Sequence, residues 1–252
     1  MPEAESRLRP DASGVGLETD GVKFVLAGYD ESAVEQALLL RQAVPGSKVG
    51  VVALGPPSRT DELLRAALAL GCDSASAVEA GVPPLADPIA VALALAEAIR
   101  ARGSTDLLLF GKQAGDDEEG LVGPAVAAAL GIPFVGYVVD LRFDASTGRF
   151  AFRRSSERGE ERWEAPRPLA VGLQQAWNDP RTATLPAILR SRKAPIARMA
   201  AAPAPADRPT SVASAFALPP PRQGAKMIEY DAPSQAAEKL VKVLREEAKV
   251  FP

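Results

Sequence analysis

Apolar residues along this chain fall into short unbroken runs separated by longer stretches of helical period. Residues 107–110, Leu-Leu-Leu-Phe, are flanked by polar residues, the pattern of a strand buried on both faces of a parallel sheet. Residues 49–54 and 169–173 read the same way, and 24–27 and 75–78 are shorter extended runs. Between them the period changes. Val34, Ala37, Leu38 and Leu40 share one side of a helix that Gly28-Tyr29-Asp30 turns into, with Asp30 as its expected cap and Glu31 in its first turn. Ser58 and Asp61 make a capping-box variant for a helix running to Leu70, which Gly71 stops. Asp87-Pro88 has N-cap and N1 chemistry for a helix that Gly103 ends. Strand and helix therefore alternate, which predicts a parallel sheet covered by helices.

After Pro133 the pattern becomes antiparallel. Residues 135–143, 149–154 and 160–163 alternate and are broken by 144–148 and by Arg158-Gly159, so they read as hairpins. Residues 200–221 are rich in Ala and Pro, a semi-extended arm with little capacity for a core of its own. Beyond it Ala237, Leu240, Val241, Leu244 and Ala248 recur at helical spacing. At the other end, residues 1–20 are polar and aperiodic and read as a loop. The expected division is an α/β domain over 1–199 and an arm with a terminal helix over 200–252.

The richest stretch follows the 107–110 run. Gly111-Lys112-Gln113-Ala114-Gly115 leads through Asp116, Asp117, Glu118 and Glu119 into an alanine-rich helix ending near Gly131. A glycine loop at a helix N-terminus frees backbone N–H groups where the peptide dipoles favour an anion, so a nucleotide phosphate is a natural guest. The four carboxylates oppose that unless they turn away or serve as N-caps. An ordinary capped strand-to-helix turn explains the same residues, and the stretch is neither a Walker motif nor GxGxxG.

Composition narrows the chemistry. A net charge of -3 argues against general nucleic-acid binding. The chain has no histidine and a single cysteine, Cys72, so zinc ligation, a Cys-His nucleophile and a histidine-dependent triad are unavailable. Cys72 reads as a small buried hydrophobe. No stretch reaches transmembrane length and no targeting pattern opens the chain, so the expected location is cytoplasmic, with no membrane insertion. No pair of side chains suits acid/base or covalent catalysis, and no metal site is expected. From residue 180 to 206 there is no acidic residue, while Arg181, Arg190, Arg192, Lys193 and Arg198 are basic. That asymmetry marks either a surface for an acidic partner or a solvated basic loop.

Three segments carry a family resemblance. DLLLFGKQAGDDEEGLVGP resembles the adenine-nucleotide loop of electron transfer flavoprotein beta subunits, DGVKFVLAGYDESAVEQALLLR resembles their N-terminal segment, and DPRTATLPAILRSRKAPI resembles their TLP signature. The resemblance implies a Rossmann-like fold of the adenine nucleotide alpha hydrolase-like type: a parallel sheet flanked by helices, with a hairpin extension and a C-terminal arm. It also implies that the family's first strand, central in that sheet, precedes Met1, so that an upstream in-frame start is expected.

Carried over position by position, the family's AMP contacts fall on Ala27, Gly28, Tyr29, Asp30, Leu54, Gly111, Lys112, Gln113, Ala114, Gly115, Asp116, Asp117, Glu118, Glu119, Gly120, Leu121 and Val122. Tyr29 matches an aromatic lying against FAD, most of which the alpha subunit holds. Leu185 matches the anchor of a loop that docks partner dehydrogenases, with Pro186, Ile188, Arg190, Arg192 and Lys193 around it. Departures are Ala27-Gly28 for Asn-Pro, Leu121 for Gln and Thr182 for tyrosine. The implied role is an electron carrier, not an enzyme by itself, taking electrons from acyl-CoA or related flavin dehydrogenases and passing them to a quinone oxidoreductase. The C-terminal helix is expected to reach the alpha subunit. Two alternatives stay open, a bifurcating subunit with a second FAD in place of AMP and an adenine-nucleotide regulatory module without a flavin partner.

Overall fold

The computed structural model describes residues 1–80, 87–174, 179–202, 215, 217, 218, 220, 224, 225 and 227–250. In chain order the elements are β1 (Arg9–Pro10), β2 (Leu17–Glu18), α1 (Gly28–Ala43), β3 (Gly50–Gly55), α2 (Pro57–Leu70), β4 (Ser74–Glu79), α3 (Pro88–Ala101) and β5 (Leu107–Gly111). There follow α4 (Val122–Leu130), β6 (Phe134–Asp144), β7 (Arg149–Ser156), β8 (Gly159–Pro166), β9 (Leu169–Leu173), α5 (Leu185–Ser191), β10 (Ala197–Ala200) and α6 (Pro233–Glu246). They form two compact units, Met1–Phe216 and Ala217–Pro252. The first is α/β, with parallel strands flanked by helices and an antiparallel extension, as the sequence predicts.

The strands form two larger sheets. One runs β10-β4-β3, all parallel; the other runs β5-β9-β6-β7-β8, parallel as far as β6 and antiparallel beyond. Among the described residues no ladder joins β3 to β5, so each keeps one unpaired edge. This edge explains an unexpected exposure. The alternating side chains of β5 are covered on both faces: Leu107 and Leu109 pack with Ala33 of α1, whereas Leu108 and Phe110 pack with α3 and α4. The strand is nonetheless only half-buried along its whole length, since its edge away from β9 pairs with no strand among the described residues. By contrast β9, paired on both sides, is buried at all five positions.

Helix boundaries agree with the punctuation in the sequence more often than their capping does. Asp87 accepts a hydrogen bond from Ile89 N–H at 2.9 Å ahead of Pro88, and Gly71 closes α2 with φ 123°. Asp30 does not cap α1: the N-cap position is Ala27 and makes no side-chain bond, while the Asp30 carboxylate reaches across to β5. Nor does Ser58 cap α2, which follows Pro56 and begins at Pro57. Two consecutive fixed φ angles preorganise that first turn without a side-chain acceptor.

The N-terminal region also departs from expectation. Residues 24–27 join neither large sheet, and Phe24 forms only an isolated antiparallel bridge with Pro2. The chain end competes for that backbone: Met1 and Val25 exchange hydrogen bonds at 2.9 Å, and Glu3 N–H donates to Lys23 O. Residues 1–20, expected to be a loop, contain the two-residue ribbons β1 and β2. Most of the predicted arm, 200–221, lies outside the described residues. In the second unit α6 buries none of its side chains.

Candidate functional site

Loops at the carboxyl ends of parallel strands are where α/β proteins build sites. Here α1 is jammed against the end of β5. Gly111 N–H donates to Asp30 Oδ1 at 3.1 Å, and a Cβ added at Gly111 would lie 2.7 Å from that oxygen, 2.8 Å from Tyr29 Cβ and 2.9 Å from Asp30 N. Tyr29, Asp30 and Gly111 are thus brought together, with Ala27 and Gly28 just ahead of them. Burial raises the Asp30 carboxyl above its usual value, against the pull of the Gly111 N–H and the Met1 amine. The residue as a whole keeps accessible surface, which tempers that shift. Leu54 lies near the end of β3, in the other sheet.

Lys112 N–H continues the ladder to Leu173 O at 2.8 Å, after which the loop folds back on itself. At Gly120, whose φ is 62°, a Cβ would stand 3.0 Å from Lys112 O. A side chain there would press tightly on backbone in a left-handed conformation that favours glycine. The acidic residues do not cap α4, as the sequence reading allowed. The N-cap position is Leu121 and makes no side-chain bond. Instead, Asp116 accepts from Asp117 N–H and Asp117 from Glu119 N–H, both at 3.2 Å. These bonds spend two carboxylates on the outer part of the loop. The amides of Gln113, Ala114, Gly115 and Gly120 find no acceptor among the described residues, and the first-turn N–H groups of Val122 and Gly123 are left uncapped.

Tyr137 is a participant the sequence reading missed. It adopts φ 60°, unusual for a bulky residue, where the register of β6 against β9 shifts between Val135 and Val138. The residue is 49% exposed, and Lys112 Nζ stands 5.3 Å from the ring centroid. No period-2 pattern announces a bulge, so nothing local to Tyr137 marked it. Met1 is a second such residue, its sulfur 3.0 Å from where a Gly115 Cβ would be.

A second region is built on α5. Leu185 is 68% exposed and Leu189, one turn on, 50%. Leu189 belongs to no motif that marks it in the sequence, although i,i+4 spacing sets both on one face. The basic surface is smaller than composition implies. Arg181 is consumed by Glu35, and Arg198 by Asp61 and Glu79 at 2.7 and 2.8 Å. Arg190, Arg192 and Lys193 form no ion pair among the described residues and remain as the free cations beside Leu185.

Parallel strands under helices, a glycine loop at their carboxyl ends and an antiparallel extension define a Rossmann-like α/β protein. Its residues 15–204 match the family model described as electron transfer flavoprotein domain. The chain is 32% identical to the electron transfer flavoprotein subunit beta of Syntrophomonas wolfei subsp. wolfei over 91% of its own length and 87% of the relative's. It is 34% identical to the human subunit beta, covering 74% and 72%. It is also 31% identical to the caffeyl-CoA reductase-Etf complex subunit CarD of Acetobacterium woodii, covering 90% and 88%. The chain belongs to the electron transfer flavoprotein beta subunit family. Membership implies a flavin, an alpha subunit and a role in carrying electrons. No described helix is long and apolar enough to cross a membrane.

Proposed function

We propose that this chain pairs with an alpha subunit to form a heterodimeric electron carrier, with an adenylate held at the β5–α4 loop and FAD held mostly by the partner. The supporting observation is the run of unclaimed donors on Gln113, Ala114, Gly115, Gly120, Val122 and Gly123, gathered around a loop with close backbone approaches at Gly111 and Gly120. Such donors suit a phosphate. The carboxylates of Asp116 and Asp117 are engaged by backbone N–H groups on the outer part of the loop. Lys112 supplies a cation beside the same loop, and Tyr29 an aromatic at its rim.

FAD, when bound, supplies the electron-accepting chemistry. This chain orients its partner, closes one side of the cofactor region and presents α5 to redox proteins. Leu185, Pro186, Ile188, Arg190, Arg192 and Lys193 are the docking residues in this reading. Flavin dehydrogenases of the acyl-CoA type are the donors, a quinone oxidoreductase is the acceptor and the compartment is cytoplasmic.

Co-expression with an alpha subunit tests the proposal. A yellow heterodimer that releases AMP on acid extraction is expected. Release of a second FAD in place of AMP would favour the bifurcating form, and a colourless nucleotide-bound homodimer would overturn the electron-carrier reading in favour of the regulatory module.

A further inference from the structure

Helix α5 has only seven residues, too few to hold together in water unaided. Something outside it must fix it. At its carboxyl end the guanidinium of Arg65, from the middle of α2, donates to Ser191 O at 2.7 Å, Arg192 O at 2.8 Å and Ala194 O at 3.4 Å. The Ser191 and Arg192 carbonyls lie at the negative end of the helix dipole; Ser191 O also accepts from Ala194 N–H at 3.2 Å, whereas Arg192 O has no other donor among the described residues. Ser191 is buried and its hydroxyl closes back onto Ile188 O at 2.9 Å. Ahead of the helix, Arg181 is tied to Glu35 of α1. The two ends of the segment are therefore fastened to different helices by arginine.

We infer that Arg65 is the positioning residue for docking: it holds α5 folded in the free protein, so that Leu185 and Leu189 stand out as a preformed apolar plug. The inference rests on the docking reading above and adds the means by which the plug is made ready. Arg65 also determines what Arg190, Arg192 and Lys193 do. Because the helix-end carbonyls are already satisfied by Arg65, none of these three cations is needed for the cap. All three are free to face a partner, which we take to be a redox protein whose apolar cavity is rimmed by carboxylates. Preorganisation of this kind removes the cost of ordering the segment on binding.

The test uses the holo heterodimer carrying Arg65→Ala or Arg65→Lys, with an acyl-CoA dehydrogenase and its acyl-CoA as electron donor. Arg65 is only half-buried, so both variants should fold. In Arg65→Ala, amide hydrogen exchange in the 185–194 peptide is expected to accelerate at least about ten-fold while other peptides stay unchanged. The KM for the heterodimer as electron acceptor should rise about ten-fold, with kcat and the rate of reduction by dithionite unaltered. Arg65→Lys, which keeps a donor to the carbonyls, should recover part of both losses. Unchanged exchange in 185–194, or faster exchange with an unchanged KM, overturns the inference alone. Failure of the wild-type heterodimer to accept electrons from the dehydrogenase overturns the docking reading, and the inference with it.

Discussion

Arg181 and Glu35 lie 146 residues apart in the chain and are joined by three hydrogen bonds: Nε and Nη2 of the arginine to the carboxylate at 2.8 Å each, and its backbone N–H at 3.1 Å. Glu35 is 5% exposed. Removing one member strands the other, so Arg181→Ala should cost about 3 kcal/mol of unfolding free energy in chemical denaturation. The Arg181 bonds hold the Glu35 carboxyl below its ordinary value of 4.5. A depressed carboxyl stabilises fully above its unfolded-state value and loses that contribution as pH falls through the folded-state value. The stability difference between wild type and Glu35→Gln should therefore shrink on acidification below pH 4.5 and stay constant above it.

Asp30 behaves in the opposite sense. Burial raises its carboxyl above the ordinary 3.8, so the charged form that prevails at neutral pH is the unfavourable one. The stabilising contribution is complete below 3.8 and is lost as pH rises through the folded-state value. Asp30→Asn keeps an acceptor for Gly111 N–H and removes the charge. It should raise stability at pH 7 by less than about 1 kcal/mol, solvent screening limiting the gain. It should also tighten adenylate binding measured by calorimetry, since one carboxylate leaves the mouth of the loop.

Two glycines of the same region should respond differently to alanine. Gly111→Ala would drive a methyl group into the Asp30 backbone nitrogen and Tyr29 Cβ, costing about 2 to 3 kcal/mol. Gly28, at the start of α1, has nothing within 4 Å of an added Cβ. Gly28→Ala should be neutral or stabilising by about 0.5 kcal/mol. Thermal melts of the pair separate close approach from simple glycine content.

Leu185→Ala and Leu189→Ala should leave the melting temperature unchanged, because both side chains face water. If α5 docks a partner, Leu185→Ala should weaken electron acceptance from the dehydrogenase about thirty-fold, a loss near 2 kcal/mol. Titration of the initial rate against heterodimer concentration would measure it.

The sequence made β5 and β9 legible because an apolar run between polar flanks admits few other readings, and the hairpins of β6, β7 and β8 because alternation fixes their faces. Gly71, Asp87 and Gly103 marked helix ends through local chemistry alone. Long-range pairings left no such mark. Asp30 has the composition of a cap, yet its partner is an amide 81 residues away. Arg181 and Arg198 looked like members of a basic surface because their acceptors, Glu35, Asp61 and Glu79, lie far back in the chain. The bulge at Tyr137 arises from how β6 meets two different neighbours, which a single strand's pattern cannot encode.

The open flanks of β3 and β5 bear on how the protein behaves in a test tube. Among the described residues each offers amide and carbonyl groups that no other strand pairs, with Gly111 N–H alone taken by Asp30 on β5, beside valine and leucine side chains, a template onto which an extended segment of another molecule can zip. Haze in concentrated samples of the lone polypeptide would then report edge-to-edge pairing between well-folded copies, and lysine introduced along Val51 to Leu54 should reduce it at some cost in melting temperature, since the same residues pair with β4.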